Sequence, residues 1–478
     1  MIEDNIKFQQ WDKPEKPNWK WWMPWDNQNI THKWVITFNQ DAILDGQTYS
    51  SSNSNQHAIL VTNGTVTISD ANITKTGDSE WDTSDFYWTN AAAISINWQL
   101  WLHNVTINTN WKHANAIFAY GSWNVFIADS TITTKDDNSW WIMVTWWWNL
   151  GAENLTITTE WNSSAAIRSD RWGGEMQIER WDYTTNWVWS PVIYSTANIT
   201  VSHANLTANK SEWAIVEWKN SITISNSTLT DSNTVLNWQS TTYKNIFLYQ
   251  SMSWDADEWT AKFTAIESKI ITNNWDTIYI TNTTAEILLQ NNEIINKNWD
   301  FLRIEWAARG KQGSNWWDVT LNLINQNIKW DIIVDNISSL SMSLTEWSSF
   351  QWAINSENQS QNISIKLDST STWNLTSDSY ISEISSNAEW YSNINLNGHT
   401  LYIWETKITS VDQIQTEETW NTTQITEATE DSISTGLITD NLNSEITWIN
   451  IGSLVIWWIG IIAIIAVIWI CIKVYIKK

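Results

Sequence analysis

Ten times along this chain two apolar residues stand two apart, and a third follows seven positions after the first. The copies begin at Val66, Leu100, Val125, Leu150, Met176, Ile199, Ile222, Phe263, Ile287 and Leu321; Val66-x-Ile68…Ile73 and Leu100-x-Leu102…Ile107 are examples. Their spacings are 34, 25, 25, 26, 23, 23, 41, 24 and 34, a base period of 23–26 with three insertions. Alternation of period 2 in Ile, Val and Thr is the signature of a half-buried strand. A strand–turn–strand unit of this size cannot bury its apolar face alone. Stacking copies about 4.8 Å apart creates a continuous core and pairs each backbone with the next. Leucine-rich repeats share the period, but their Leu-rich consensus and Asn position are absent. An array of β-sandwiches would show longer strands. The pattern predicts an all-β fold, a right-handed parallel β-helix, with weaker repeats after residue 345. Only four prolines interrupt the chain, and just Pro191 falls within the repeats, which suits unbroken ladders.

Stacked coils need tight corners, and here composition enters. The chain has 43 Trp and 13 Gly, whereas an ordinary protein carries about 7% Gly. Asn97-Trp98, Asn110-Trp111, Ser122-Trp123, Asn186-Trp187, Asn237-Trp238, Asn274-Trp275 and Asn298-Trp299 stand where Asn-Gly or Ser-Gly turns would stand. Such turns need positive φ, which Gly supplies freely and Trp does not. At roughly 200 Å² each, the indoles would carry on the order of 8,600 Å², and soluble monomers rarely expose apolar patches beyond a few hundred Å². The expectation is that most of these Trp are Gly in the cell, encoded by UGA codons that a different translation table reads as Trp. On this view the coils stack only if their corners are free of bulky side chains. The alternative is a chain truly rich in Trp that stacks on glycans.

Charge and hydropathy bound the compartment. Lys and Arg number 26 against 51 Asp and Glu, a net charge of −25; nucleic acid is excluded as a partner because its phosphates would be repelled. The single cysteine, Cys471, permits no disulfide within the chain. Residues 449–472 are uncharged and rich in Ile and Val, long enough to span a hydrocarbon core of about 30 Å as a helix. Three lysines follow, so the tail 473–478 is expected in the cytoplasm and the large N-terminal region outside. The start has neither a basic n-region nor an apolar h-region; an exported domain needs such a signal, so the start is expected to be truncated or misassigned. The remaining division is a flexible Gly-like linker at 1–40, the β-helix ectodomain at 41–404 and a Thr/Ser/Glu-rich stalk at 405–448.

With Trp read as Gly at turns, Asn90 to Asp231 resembles bacterial adhesin-like right-handed β-helix surface proteins, a pectate-lyase-like solenoid. The resemblance rests on TNAAAISINWQLWLHNVTI (89–107), NSSAAIRSDRWGG (162–174) and SPVIYSTANITVSHANLTANKSEWAIVEWKNSITI (190–224). It runs more weakly from Gln47 to Ile403. The resemblance implies an extracellular, carbohydrate-binding or adhesive role and no known catalytic residues.

The densest polar cluster is Arg168-Ser169-Asp170-Arg171, before Trp172-Gly173-Gly174. Two guanidinium groups beside a carboxylate can hold an acidic sugar by bidentate hydrogen bonds, so Arg168, Asp170 and Arg171 are the candidate binding residues. A simple turn, with Asp170 paired to a flanking Arg, is the competing reading. Asp136-Asp137 and Asp255, Asp257, Glu258 match no calcium loop, and residues 234–260 fill the longest interval, an expected protruding loop able to decorate a binding face. Six histidines show no metal-ligand spacing; His103 and His203 read as one repeated surface position. No metal and no cofactor is expected, and no catalytic constellation is evident. The favoured function is therefore a membrane-anchored surface protein, not an enzyme, that binds glycans or a cell-surface protein. The alternatives are a carbohydrate-active β-helix enzyme, such as a polysaccharide lyase or hydrolase, and a passive spacer. An enzyme would need carboxylates at equivalent positions in consecutive coils, a ladder not apparent in the sequence.

Overall fold

A computed structural model describes residues 31–414, apart from 80–88, 121–124, 137–138, 140–141, 145–148, 170–172, 234–243, 251–259, 275, 298–299, 308–316 and 361. Within these residues the chain is an all-β parallel solenoid. Its strands run from Lys33–Asn39, before residue 41, to Thr406–Ile408, after residue 404. The expected membrane segment at 449–472 lies outside the described residues; among the described ones, no helix is long and apolar enough to cross a membrane.

Each coil contributes to two sheets. The first is a bent sheet in which the apolar repeat falls into register. Val66 pairs with Leu100, then Val125, Leu150, Met176, Ile199, Ile222, Phe263, Ile287 and Leu321 in one unbroken column. The column continues through Met342 and Ile365 to Ile384. All these side chains line one core, and from Val66 to Ile365 so do their partners two residues on. Burial alternates along Asn198–Ala208 on either side of Ser202–His203, with Ile199, Val201, Ala204, Leu206 and Ala208 inside. Period-2 patterning thus becomes a wall of core side chains.

Midway through this sheet eleven coils bend at one residue in the left-handed region. Asp70, Asn104, Asp129, Asn154, Arg180, His203, Asn226, Glu267, Asn291, Asn325 and Glu346 hold φ between 45° and 60°. Bulky side chains such as those of Arg180, His203 and Glu346 are accommodated at this bend, which is a different place from the Asn-Trp and Ser-Trp corners. Asn and Asp tolerate the left-handed conformation because their short polar side chains bond locally, and at this bend the side chains lie outside the stack. Asn325, for instance, donates to Asn291 one coil away at 2.6 Å. It also separates the two histidines: His203 is the bend residue, equivalent to Asn104, whereas His103 pairs with Ala128 in the column that reaches Ser202. Past the bend, side chains from the next coil accept backbone N–H groups: Ser227 Oγ from Ala204, Ser268 Oγ from Ser227, Asn292 Oδ1 from Ser268 and Gln326 Oε1 from Asn292, at 2.9–3.2 Å. Buried backbone donors left without such partners would each cost on the order of 1–3 kcal/mol.

The second sheet has twelve parallel strands and closes the other side of the core. They are Lys33–Asn39, Gln56–Asn63, Ala91–Ile96, Asn115–Tyr120, Ile142–Val144, Ile167–Ser169, Ile193–Ser195, Ala214–Glu217, Lys244–Tyr249, Asp276–Thr281, Asp300–Ile304 and Asp331–Val334. The strand Lys244–Tyr249 corrects the reading of 234–260 as one protruding loop; its middle is a rung of this sheet. Several strands are buried on both faces, Ala214–Glu217 and Asp276–Thr281 completely. A strand covered on two sides loses its alternation.

Candidate outward-facing site on the twelve-stranded sheet

Inner residues of these strands, such as Ile59, Val61, Ile193, Ile278 and Ile280, belong to the main core. The residue between them faces outward. Register places these outward residues in one column: Leu60, Ile94, Phe118, Met143, Arg168, Tyr194, Ile215, Phe247, Tyr279, Arg303 and Ile333. The first four form a small sealed cluster of their own, at most 2% exposed. From Arg168 onward the column carries guanidinium and aromatic groups with Ile215 and Ile333 among them, and Ile215, Phe247, Tyr249 and Tyr279 form a second buried cluster with Tyr194 packed against it.

Local contacts bind these rungs together. The Arg168 guanidinium lies 4.9 Å from the centre of the Tyr194 ring. Tyr194 and Tyr249 hydroxyls both donate to Glu217 Oε1, and the two hydroxyls are 3.2 Å apart. Glu217 is fully buried. Phe247 and Tyr249 stack at 4.6 Å, and Tyr279 meets Phe247 edge-on at 5.7 Å. The Tyr279 hydroxyl donates to Glu305 Oε1 at 2.7 Å. Above Phe247 and Tyr279 sits the Lys244 ammonium, 4.0 and 4.7 Å from the ring centres.

At the far end, three carboxylates converge on one guanidinium. Arg303 Nε reaches Asp276 at 2.7 Å, Nη2 reaches Asp300 at 2.6 Å and Nη1 lies 3.7 Å from Glu305. Asp300 and Asp331 are register partners in consecutive coils. This is the acidic ladder that was not apparent in the sequence. Burial pushes the Asp276 carboxyl up to about 7, against the opposing pull of Arg303. Asp331 is raised to about 6, again by burial. Tyr279 is driven well above its ordinary value, first by burial and then by the Glu305 charge. Titratable groups shifted by burial and specific charges cluster at functional sites more often than elsewhere.

Of the residues singled out from sequence, Arg168 belongs to this column. Asp170 and Arg171 lie outside the described residues. Arg168 is in a strand, not a turn: its neighbour Ser169 points inward, fully buried, and its Oγ accepts the Thr196 N–H at 2.7 Å. Tyr194, Glu217, Phe247, Tyr249, Tyr279, Arg303 and Glu305 were missed. Only the coil-to-coil register brings out the second, shorter repeat that carries them. Aligning the inner apolar residue gives Ile167-Arg-Ser, Ile193-Tyr-Ser, Ala214-Ile-Val-Glu, Ile246-Phe-Leu-Tyr, Ile278-Tyr-Ile-Thr and Leu302-Arg-Ile-Glu.

An open trough of about 450 Å³ on the outer face of the bent sheet is lined by Lys262, Thr264, Glu286, Leu288, Asn322 and Ile324 among others. Its Lys262–Glu286 pair is half exposed, and no aromatic face lines it. Among the described residues, no group of three or more His, Cys, Asp or Glu side chains is placed to hold a metal ion. No protein-family model, curated protein or solved structure matches this chain, and a solenoid by itself hosts many unrelated functions.

Proposed function

We propose that this chain is an adhesin-like cell-surface protein that binds glycans through the outward face of the twelve-stranded sheet, between Arg168 and Arg303. The observation carrying this reading is the change of chemistry along one column: aliphatic and Phe rungs give way to Arg, Tyr and Phe rungs, with Ile215 among them, that are flanked by Glu217 and Glu305 and largely covered in the free protein. Aromatic faces pack against the C–H faces of sugar rings, while a few convergent polar groups fix orientation. Residues 449–472 would anchor the chain as a single membrane span with the solenoid outside. Glycan-array binding of the full chain tests the reading. Binding should be lost in the Tyr194→Ala/Tyr279→Ala double variant and retained in Thr200→Ala on the bent sheet. Absence of binding to any glycan or cell surface would favour a passive spacer.

One observation favours a second reading, a carbohydrate-active hydrolase or lyase. Asp276, Asp300 and Glu305 meet at Arg303, and paired carboxylates of differing proton affinity are what glycosidic cleavage needs. Against it, Asp276 is wholly buried and out of a substrate's reach. Release of reducing or unsaturated ends that disappears in Asp300→Asn would establish this alternative.

The tryptophan proposal becomes specific to position. Trp347, Trp390 and Trp404 hold φ of 68°, 57° and 51° and are 74%, 62% and 63% exposed. Trp189 and Trp218 also lie in the left-handed region, as does Trp111. These are the positions where Gly would relieve strain. Trp373, by contrast, fills a fully buried rung between Phe350 and Ile394, where a glycine would leave a cavity. Codons determine the outcome: UGG at 347, 390 and 404 would end the proposal.

A further inference from the structure

The outward face carries its own cations on its own aromatic rings. Lys244 lies over both Phe247 and Tyr279, and Arg168 lies over Tyr194. A cation over a ring face is held by the ring quadrupole, and desolvation strengthens the attraction. Two of these rings are also polarised. Tyr279 donates its hydroxyl proton to Glu305, and Tyr194 donates to Glu217, so negative charge stands behind each ring and enriches its face. Cluster charges point the same way. Around Arg303 three carboxylates, Asp276, Asp300 and Glu305, meet one guanidinium, and the whole chain carries −25. This excess of carboxylates disfavours an acidic sugar at the Arg303 end of the column.

We propose that the Phe247–Tyr279 face is an ammonium-binding box, that Lys244 occupies it in the free protein as a built-in placeholder, and that its ligand is a polysaccharide bearing free amino groups. This rests on the glycan-binding reading above and names the ligand class. The occupant is a sugar polymer by that reading, and strand addition by a basic peptide is closed for a backbone reason. Each strand from Gln56–Asn63 to Asp300–Ile304 is already paired on both sides, so no strand edge is open there for β-augmentation. A ligand amine would displace Lys244, whose tether begins at the first residue of its strand, and take its place over the Phe247 and Tyr279 rings.

Calorimetric titration of the full chain with glucosamine hexasaccharide, and with its fully N-acetylated counterpart, tests this. The free amine should bind at least about tenfold more tightly. Lys244→Met, which keeps the stem and removes the ammonium, should strengthen glucosamine binding about three- to tenfold. Tyr279→Leu should abolish the preference between the two sugars. Equal affinity for both sugars would overturn the ammonium box and leave glycan binding standing. Binding of neither, with no glycan bound on an array, would overturn both. Weaker glucosamine binding by Lys244→Met would overturn the placeholder, since the lysine would then be holding the ligand.

Discussion

Two stretches of one column share a backbone and differ in chemistry. From Leu60 to Met143 the outward residues of the twelve-stranded sheet are aliphatic or Phe and sealed from water. From Arg168 to Arg303 they are mostly aromatic or cationic and are tied to carboxylates. The ladder of parallel pairing is continuous through both. Stacking consumes the backbone groups and the inward side chains, leaving the outward residue free to be either a second small core or a site.

Phe118→Ala should show the largest effect, a loss of about 3–5 kcal/mol in urea unfolding, because its ring is wholly buried. Arg168→Ala should cost under about 1 kcal/mol while altering glycan binding. Equal losses would break the contrast between the two stretches. Glu217→Gln removes a charged acceptor shared by two tyrosine hydroxyls, and the expected cost is about 1.5–3 kcal/mol. A thermal melt unchanged by this substitution would mean that the network contributes nothing to stability.

Acid should act oppositely on the two stretches. Burial depresses His57, beneath the sealed end, to about 3. Its unfolded form takes up a proton below about 6.5, so stability there falls as pH drops from 6.5 toward 3. Asp276 and Asp331 are raised to about 7 and 6. They hold protons that the unfolded chain releases near 4, so their contribution is full at low pH and is lost as pH rises through 6–7. Between pH 7 and 5, amide-exchange protection of Gln56–Asn63 should fall and that of Asp276–Ile304 should rise, each by on the order of 1–2 kcal/mol. Parallel changes in both would refute the assignment.

The smallest effects are at the corners. Trp347→Gly and Trp404→Gly should each raise stability by about 1 kcal/mol, since a left-handed residue with a Cβ is strained. Trp373→Gly should instead lose several kcal/mol, about as much as other large core deletions. A rise in melting temperature for Trp373→Gly would show that its rung needs no indole.

The sequence by itself determined the interior of the bent sheet. Val66 through Leu321 were in register before any coordinates, because a strand with one wet face must alternate and each copy must repeat to stack. It did not disclose the twelve-stranded sheet. Ala214-Ile215-Val216-Glu217 is buried at every position, so it shows no period, and insertions between its strands blur the spacing. Nor did it place the bend, because Asn104, Arg180, His203 and Glu346 share a backbone conformation and not a side-chain type. Arg168 was legible as a charge, but its partnership with Tyr194, 26 residues later, was not. Which outward residues meet depends on coil-to-coil register along the axis, and register is fixed by the core on the other side of the same strands.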